Sequence, residues 1–255
     1  MLIEGTATDV TPLERELLLL ARKTCESPAG LRPSDLDSLS TVVPGGAVEY
    51  VVVAGAFHFV NRIADLLNVD PEALPEGLRR FEWLRKLGVS VAARLMKRLD
   101  LVNRRYERPY EDVLEELRRA CLRRSASAAT TDVSSLRASP QAIEILRLTI
   151  AERDEHSSLD EATLARVHRV VENALPRSRD DIEGFHPRPQ DPVEAFAFVG
   201  TRYPARTTPA MIERLRAAGY EDLGILDLAI AVADANQWAR MYRLLDLDSR
   251  VFLLA

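Results

Sequence analysis

The sequence lacks the long apolar run and the leader segment that mark membrane and secreted proteins. Its most apolar stretch, residues 50–60, is interrupted by Gly55 and His58 and falls short of the roughly 20 residues that span a bilayer. The N-terminal residues show no basic segment followed by an apolar run and a small-residue cleavage site. We therefore expect a cytoplasmic protein with no membrane-spanning segment.

Cysteine is almost absent. Cys25 and Cys121 stand 96 positions apart, which is neither the spacing of zinc ligands nor that of a disulfide framework. The chain has no Cys-x-x-Cys pair, and its four histidines are scattered. We expect a reducing compartment, no metal and no cofactor.

Glycine and alternating β-branched residues are also scarce, and apolar residues recur at steps of three and four. This period predicts an all-α fold. The sequence predicts helices over residues 12–24, near Ser34, and over 47–68, 76–101, 109–123, 140–155, 160–175, 191–200, 209–218 and 223–245. Two polar, proline- or serine-rich segments, 125–139 and 176–190, are predicted to be loops.

The beginning and the end of the chain resemble each other. The same offset of 176 positions joins Pro28 to Pro204 and Pro33 to Pro209. After two extra residues in the first copy, Glu49 aligns with Asp227, Arg62 with Arg240, and LLNVD with LLDLD. We interpret this as a tandem duplication. It predicts two helical units, 1–124 and 140–255, joined by a linker at 125–139 and related by a pseudo-twofold axis.

The motif FHFVNRIADLLNV, residues 57–69, resembles the alkylhydroperoxidase D and carboxymuconolactone decarboxylase superfamily, and residues 211–247 are similar to the same region more loosely. The resemblance implies an all-helical fold and a homo-oligomer, which we expect to be a dimer. In the peroxidase branch it also implies a Cys-x-x-Cys-x-x-x-His helix. This chain has no such cysteine pair, so dithiol peroxidase activity has no residues to carry it.

The helix at 47–68 carries a polar stripe of His58, Asn61, Arg62 and Asp65 at helical spacing. Its functional interpretation is a pocket in which Arg62 binds a carboxylate, His58 transfers a proton and Asn61 orients the substrate. The structural alternative is a buried polar network, which the match of Arg62 to Arg240 favours for that arginine.

Three other residues have open roles. Glu49, nine residues before His58, is either a buried acid or base or a residue that stabilises the start of its helix. His168 lies at the border of an apolar helix face, where a structural role is the better explanation. His186 lies in a proline-rich loop, and the sequence does not decide its role.

A basic stretch at residues 79–124 carries 14 Lys and Arg against 7 Asp and Glu. Its acidic residues are interleaved at helical spacing and no nucleic-acid-binding motif is visible, so solvated helix faces explain it better than a nucleic-acid site.

The leading functional hypothesis is a small-molecule enzyme that uses cofactor-independent acid–base chemistry, with His58 and Glu49 as catalytic residues and Arg62 and Asn61 as substrate-binding residues. The alternative is a non-catalytic relative that binds a ligand or partner. A weaker alternative is a peroxidase-related oxidoreductase using Cys25 and Cys121.

Overall fold

The computed structural model describes residues 10–44, 46–67 and 158–247. These residues form helices and connecting segments, without a strand among them, so the described part of the chain is all-α as predicted. All of them belong to one compact unit. The α-helices are α1 Pro12–Glu26, α2 Asp37–Val42, α3 Ala47–Leu66, α4 Glu161–Ala174, α5 Arg179–Glu183, α6 Pro192–Arg202, α7 Pro209–Ala217 and α8 Asp222–Leu245.

Most of these boundaries follow local sequence signals. Helix α1 starts at Pro12 after Thr11, whose hydroxyl accepts from the backbone N–H of Glu14 while the Glu14 carboxylate accepts from the backbone N–H of Thr11. This reciprocal capping box satisfies donors that the first helical turn leaves unpaired. Asp160 and Asp191 cap α4 and α6 in the same position, each through its carboxylate. The predicted loop at 176–190 also contains the short helix α5, which begins after the capping residue Ser178.

Two segments of the chain have the same order of elements. In the first, Pro28 begins a 3-10 turn after α1, and Pro33 begins the short helical segment before α3. In the second, Pro204 begins a 3-10 turn after α6, and Pro209 begins α7 before α8. A proline at the first position costs no hydrogen bond and fixes the backbone angle φ for a helix start. The predicted linker at 125–139 and the predicted helices between 69 and 157 lie outside the described residues.

The two long helices, α3 and α8, pack along each other at the centre. One apolar cluster joins α1, α2, α3 and the C-terminal half of α8, and includes Trp238 and Met241. A second joins α4, α6, α7 and the rest of α8 with Leu66 from the end of α3, and includes Phe196. Burial of a side chain as large as Phe196 contributes roughly 2 kcal/mol.

Helix α6 comes very close to both long helices at Gly200. A Cβ atom there would lie 2.8 Å from Leu66 Cδ2 and 2.8 Å from Val232 Cγ1. Glycine at this position therefore allows the end of α6 to approach α3 and α8, and brings its last carbonyl groups within reach of their polar side chains.

Helix α3 is buried on one face and exposed on the other. Val48, Val51 and Leu66 are buried, but Val53 and Phe57 are 54% and 66% exposed. Of the described helices, only α3 is long and apolar enough to span a membrane by length and composition. Core helices of soluble proteins also meet that description.

Candidate functional site

The polar stripe predicted on α3 divides between two environments. His58 and Arg62, one turn apart, face the protein, with Arg62 buried and His58 half-buried. Asn61 and Asp65 are exposed. The structure therefore brings His58 and Arg62 together and leaves Asn61 on the outer face of the helix.

Arg62 binds the C-terminal end of α6. Its Nη1 donates to the backbone carbonyl of Gly200 and, at 3.1 Å, to that of Thr201. The last carbonyl groups of a helix have no partner within the helix and carry its negative dipole end. Arg62 satisfies two of them. Its Nε is buried and has no hydrogen-bond partner.

Arg240 on α8 makes the corresponding interaction with α1. Its Nε donates to the carbonyl oxygen of Thr24 at 2.9 Å, in the last turn of α1. Its Nη1 donates to the backbone carbonyl of Asn236 at 2.6 Å and to the Asn236 side-chain oxygen at 3.2 Å. Only 3% of Arg240 is exposed.

Two threonines connect these arginines to His58 and Asn236. The Thr24 hydroxyl donates to Ala21 at 2.8 Å, so it accepts from His58 Nε2 at 3.0 Å. The Thr201 hydroxyl likewise donates to the Ala197 carbonyl at 2.8 Å and accepts from Asn236 Nδ2 at 3.0 Å. We call the six residues His58, Arg62, Asn236, Arg240, Thr24 and Thr201 the arginine cluster.

These bonds fix the tautomer of His58. A hydroxyl has one proton, and that of Thr24 goes to Ala21, so the imidazole carries its proton on Nε2. Nδ1 then holds the lone pair. It makes no hydrogen bond to a described residue. His58 thus presents a proton-accepting nitrogen at the edge of the cluster.

The electrostatic environment keeps His58 neutral at pH 7. Burial lowers its pKa to about 3, and the positive charges of Arg240 and then Arg62 contribute in the same direction. Burial also lowers the pKa of Arg62 to about 10, against the opposing effect of Asp65, so Arg62 remains charged at pH 7. Burial and the neighbouring Arg62 lower the pKa of Arg240.

The two buried guanidinium groups have no carboxylate hydrogen-bonded to them within the described residues. The acidic groups that influence the pKa values of the two arginines act without a hydrogen bond to them: Asp65 and Cys25 near Arg62, and Cys25 and Glu172 near Arg240. Cys25 is exposed. It follows Thr24 in α1, so the cluster approaches the surface beside a thiol. Cys121, its predicted partner in the peroxidase alternative, lies outside the described residues.

Glu49 is not part of this cluster. It lies nine residues before His58 on the same helix, which places it about 14 Å away along the axis and on the opposite face. It is the acidic residue of the first turn of α3, and its Oε2 is buried without a hydrogen-bond partner. This position is the one in which a carboxylate stabilises the start of a helix.

The two other histidines of the described ranges lie elsewhere. His168 is buried in α4 and has an interaction partner. His186 lies in the loop after α5, where its Nε2 is 3.0 Å from Asp181 Oδ1 and 2.6 Å from Arg202 Nη2. Arg202 itself donates to the carbonyl of Ala174 at the end of α4, at 3.1 Å. Arg202 is therefore a third buried arginine that caps a helix C-terminus.

No group of three or more His, Cys, Asp or Glu side chains suited to a metal ion occurs in ranges 10–44, 46–67 and 158–247. Two surface cavities are lined by residues of these ranges, one beside α7 and one beside the start of α4, and neither includes a residue of the arginine cluster.

Sequence reasoning identified His58 and Arg62 but missed the roles of Thr24, Thr201 and Asn236. The signal was present in the repeat, because the alignment that matches Arg62 to Arg240 also matches His58 to Asn236. The threonines gave no comparable signal, since their role depends on where two helices end in space.

Comparison of the chain with family models, with curated proteins and with solved structures gives no match.

Proposed function

We propose that the chain is a small-molecule enzyme that uses cofactor-independent acid–base chemistry on a small carboxylate-bearing carbonyl compound, bound at the arginine cluster. One observation carries the proposal: the buried Nε–H of Arg62 has no acceptor, and His58, whose Nδ1 makes no hydrogen bond to a described residue, lies one turn away. An unpaired buried donor on a charged group is costly, and a bound anion would satisfy it.

In this proposal the two residues have separate roles. The guanidinium of Arg62 binds the carboxylate, and Arg240 adds positive charge beside it. His58 Nδ1 accepts a proton from the carbon next to the substrate carbonyl, and the positive charges stabilise the enolate that forms. The bound anion also offsets the arginine charges that lower the pKa of His58, so the base becomes stronger when substrate is present. Asn61 and Glu49 have no part in this step.

Proton exchange tests the proposal directly. We expect the protein to catalyse exchange of the methyl protons of pyruvate, a minimal 2-oxo acid, with D2O, as followed by NMR. The variant His58→Asn should lose this activity and keep its melting temperature, because Asn236 makes the equivalent bond in the second segment. Exchange that is absent from the parent protein, or equal in the variant, contradicts the acid–base proposal for this class of substrate.

A second candidate is a non-catalytic relative that binds a ligand or a partner. It is favoured by the bonds of Arg62 and Arg240, which go to backbone carbonyls and to one amide oxygen, so both arginines already have structural roles. Pyruvate that shifts the NMR signals of the cluster without any proton exchange would support this candidate.

We also infer that the chain is a diverged tandem member of the alkylhydroperoxidase D and carboxymuconolactone decarboxylase superfamily, with pseudo-twofold symmetry. The order of elements supports this inference, as do the matched caps made by Arg62 and Arg240. The cytoplasmic location, the dimer and the absence of a nucleic-acid partner stay predictions.

A further inference from the structure

A cavity of about 450 Å³ lies between the C-terminal end of α3, one face of α7 and the first turns of α8. This volume is within the range of small-molecule sites. We call it the α7 cavity. Its described lining residues are Leu66, Leu67, Thr207, Thr208, Pro209, Ile212, Glu213, Arg216, Asp222, Ile225 and Leu226.

The floor of the α7 cavity is apolar and is formed by side chains of the core. Leu66 and Ile225 are 1% and 4% exposed and belong to the second apolar cluster, and Ile212 packs against that cluster. Leu226 remains 37% exposed at the side. A floor of this kind offers water few hydrogen bonds and favours an apolar ligand body.

The mouth of the cavity has an excess of negative charge. Arg216 donates to Glu213 Oε1 at 2.5 Å and to Asp222 Oδ1 at 2.8 Å. The second oxygen of each carboxylate makes no hydrogen bond to a described residue. Two carboxylates against one guanidinium leave a net charge of about −1 at the mouth. The N-terminal end of α7 also borders the cavity. A helix N-terminus can bind an anion through its backbone N–H groups, but the first residue of α7, Pro209, has no N–H.

We propose that the α7 cavity binds a small amphipathic amine, with its apolar body on the floor and its ammonium group at the free oxygens of Glu213 and Asp222. This site is separate from the arginine cluster, with which it shares no residue, and it does not depend on the proposed acid–base function. An ammonium group supplies three donors for these carboxylate oxygens, and the body replaces water on Leu66, Ile212 and Ile225.

Three probes with the same phenyl body and different head groups test the charge preference: 2-phenylethylamine, 2-phenylethanol and 3-phenylpropanoate. Binding is measured by NMR titration of the methyl groups of Ile212, Ile225 and Leu226 in the full chain. The amine should bind about fivefold more tightly than the alcohol, with the carboxylate weakest, as expected when one partly exposed charge interaction is gained or opposed.

Variants test the position. The double variant Glu213→Gln, Asp222→Asn should weaken amine binding about fivefold and leave the alcohol unchanged. Both side chains are exposed and the fold should tolerate the change. Glu183→Gln, which alters the exposed Arg179–Glu183 pair on α5, is the matched control and should have no effect. Ile212→Trp should fill the cavity and abolish binding of both the amine and the alcohol.

The proposal is overturned if none of the three probes shifts the cavity methyl groups, if the carboxylate binds as tightly as the amine, or if Ile212→Trp leaves amine binding intact. Equal loss of amine binding in Glu183→Gln and in the double variant would also overturn it, because the effect would then reflect net charge alone.

Discussion

Arg62 and Arg240 occupy matching positions on the two long helices, and each caps a helix that belongs to the other end of the chain. Arg62 donates to the carbonyls of Gly200 and Thr201 at the end of α6, and Arg240 donates to the carbonyl of Thr24 in the last turn of α1. An arginine on a long helix therefore caps a helix C-terminus twice in the structure. Arg62 of α3 caps a helix of the second segment, and Arg240 of α8 caps a helix of the first segment.

Removing either cap should destabilise the protein by a similar amount. Arg62→Met and Arg240→Met keep an apolar stem but leave buried carbonyls without a donor, at a cost of about 2 kcal/mol each. The measurement is the free energy of unfolding in urea at pH 7. Arg22→Met is the control, because Arg22 forms an exposed pair with Glu26 on α1, and it should cost less than about 0.5 kcal/mol. Two stable cap variants would show that the carbonyls do not need these donors.

The free energy of unfolding should decrease as the pH is lowered, because of His58. Its pKa is about 3 in the folded protein against 6.5 for an ordinary histidine, so the unfolded chain binds more protons between these two values. The contribution of His58 to the free energy of unfolding is therefore constant above pH 6.5 and decreases as the pH falls toward 3. Urea denaturation at pH 7, 5.5 and 4.5 measures it.

His58→Asn isolates this contribution. Asparagine does not titrate, and it can donate to Thr24 as Asn236 donates to Thr201, so the variant should lose less stability than the parent between pH 7 and pH 4.5. An identical pH dependence in the two proteins would assign the acid sensitivity to other groups.

Binding of a small carboxylate should raise the pKa of His58. An anion at the unpaired Nε of Arg62 offsets the positive charges that hold this pKa down. The pKa is measured from the chemical shifts of the His58 ring protons with and without pyruvate, and a rise of about one unit is expected. The Arg62→Met variant should show no rise. A pKa that is the same with saturating pyruvate would argue against an anion site here.

The space available for a methyl group differs at three glycines, and we expect alanine substitutions there to destabilise the protein to different degrees. Gly200→Ala should be the most damaging, because the new methyl group meets two branched side chains at 2.8 Å, and we expect a loss of about 1–3 kcal/mol. Gly55→Ala meets the flexible end of Met241, Sδ at 2.8 Å, and should cost less. Gly30→Ala, with nothing within 4 Å, is the control and should be neutral. Thermal unfolding ranks the three, and a Gly200 variant as stable as the Gly30 variant would contradict the close approach of α6.

Local sequence signals predict where the helices begin and end, but they do not predict which face of each helix is buried. The prediction of a helix at 12–24 agrees with Pro12–Glu26, and the prediction at 209–218 agrees with Pro209–Ala217. Proline, threonine and the three- and four-residue apolar period act over a few residues, so one sequence contains them. Helix α5, only five residues long, gave no such period.

The faces of α3 show what the sequence could not provide. Helical spacing places His58, Asn61 and Arg62 in one stripe. The stripe is wide enough for one side to face the protein and the other to face solvent, so Arg62 is buried while Asn61 is exposed. Which residues of the stripe turn inward depends on the carbonyl groups at the end of α6, some 138 positions away. Spacing along one helix contains no information about such a distant partner.

The crossed caps also have a consequence for the order of folding during synthesis. Arg240 lies 216 positions after the carbonyl that it binds in α1, and Arg62 is made long before the end of α6 that it binds. A chain emerging from the ribosome therefore carries α1 and α3 for most of its synthesis without their polar partners. Contacts this distant in sequence slow folding, because the entropy of closing a long loop must be overcome before the contact forms. We expect the nascent first half to need protection from aggregation until α8 has emerged.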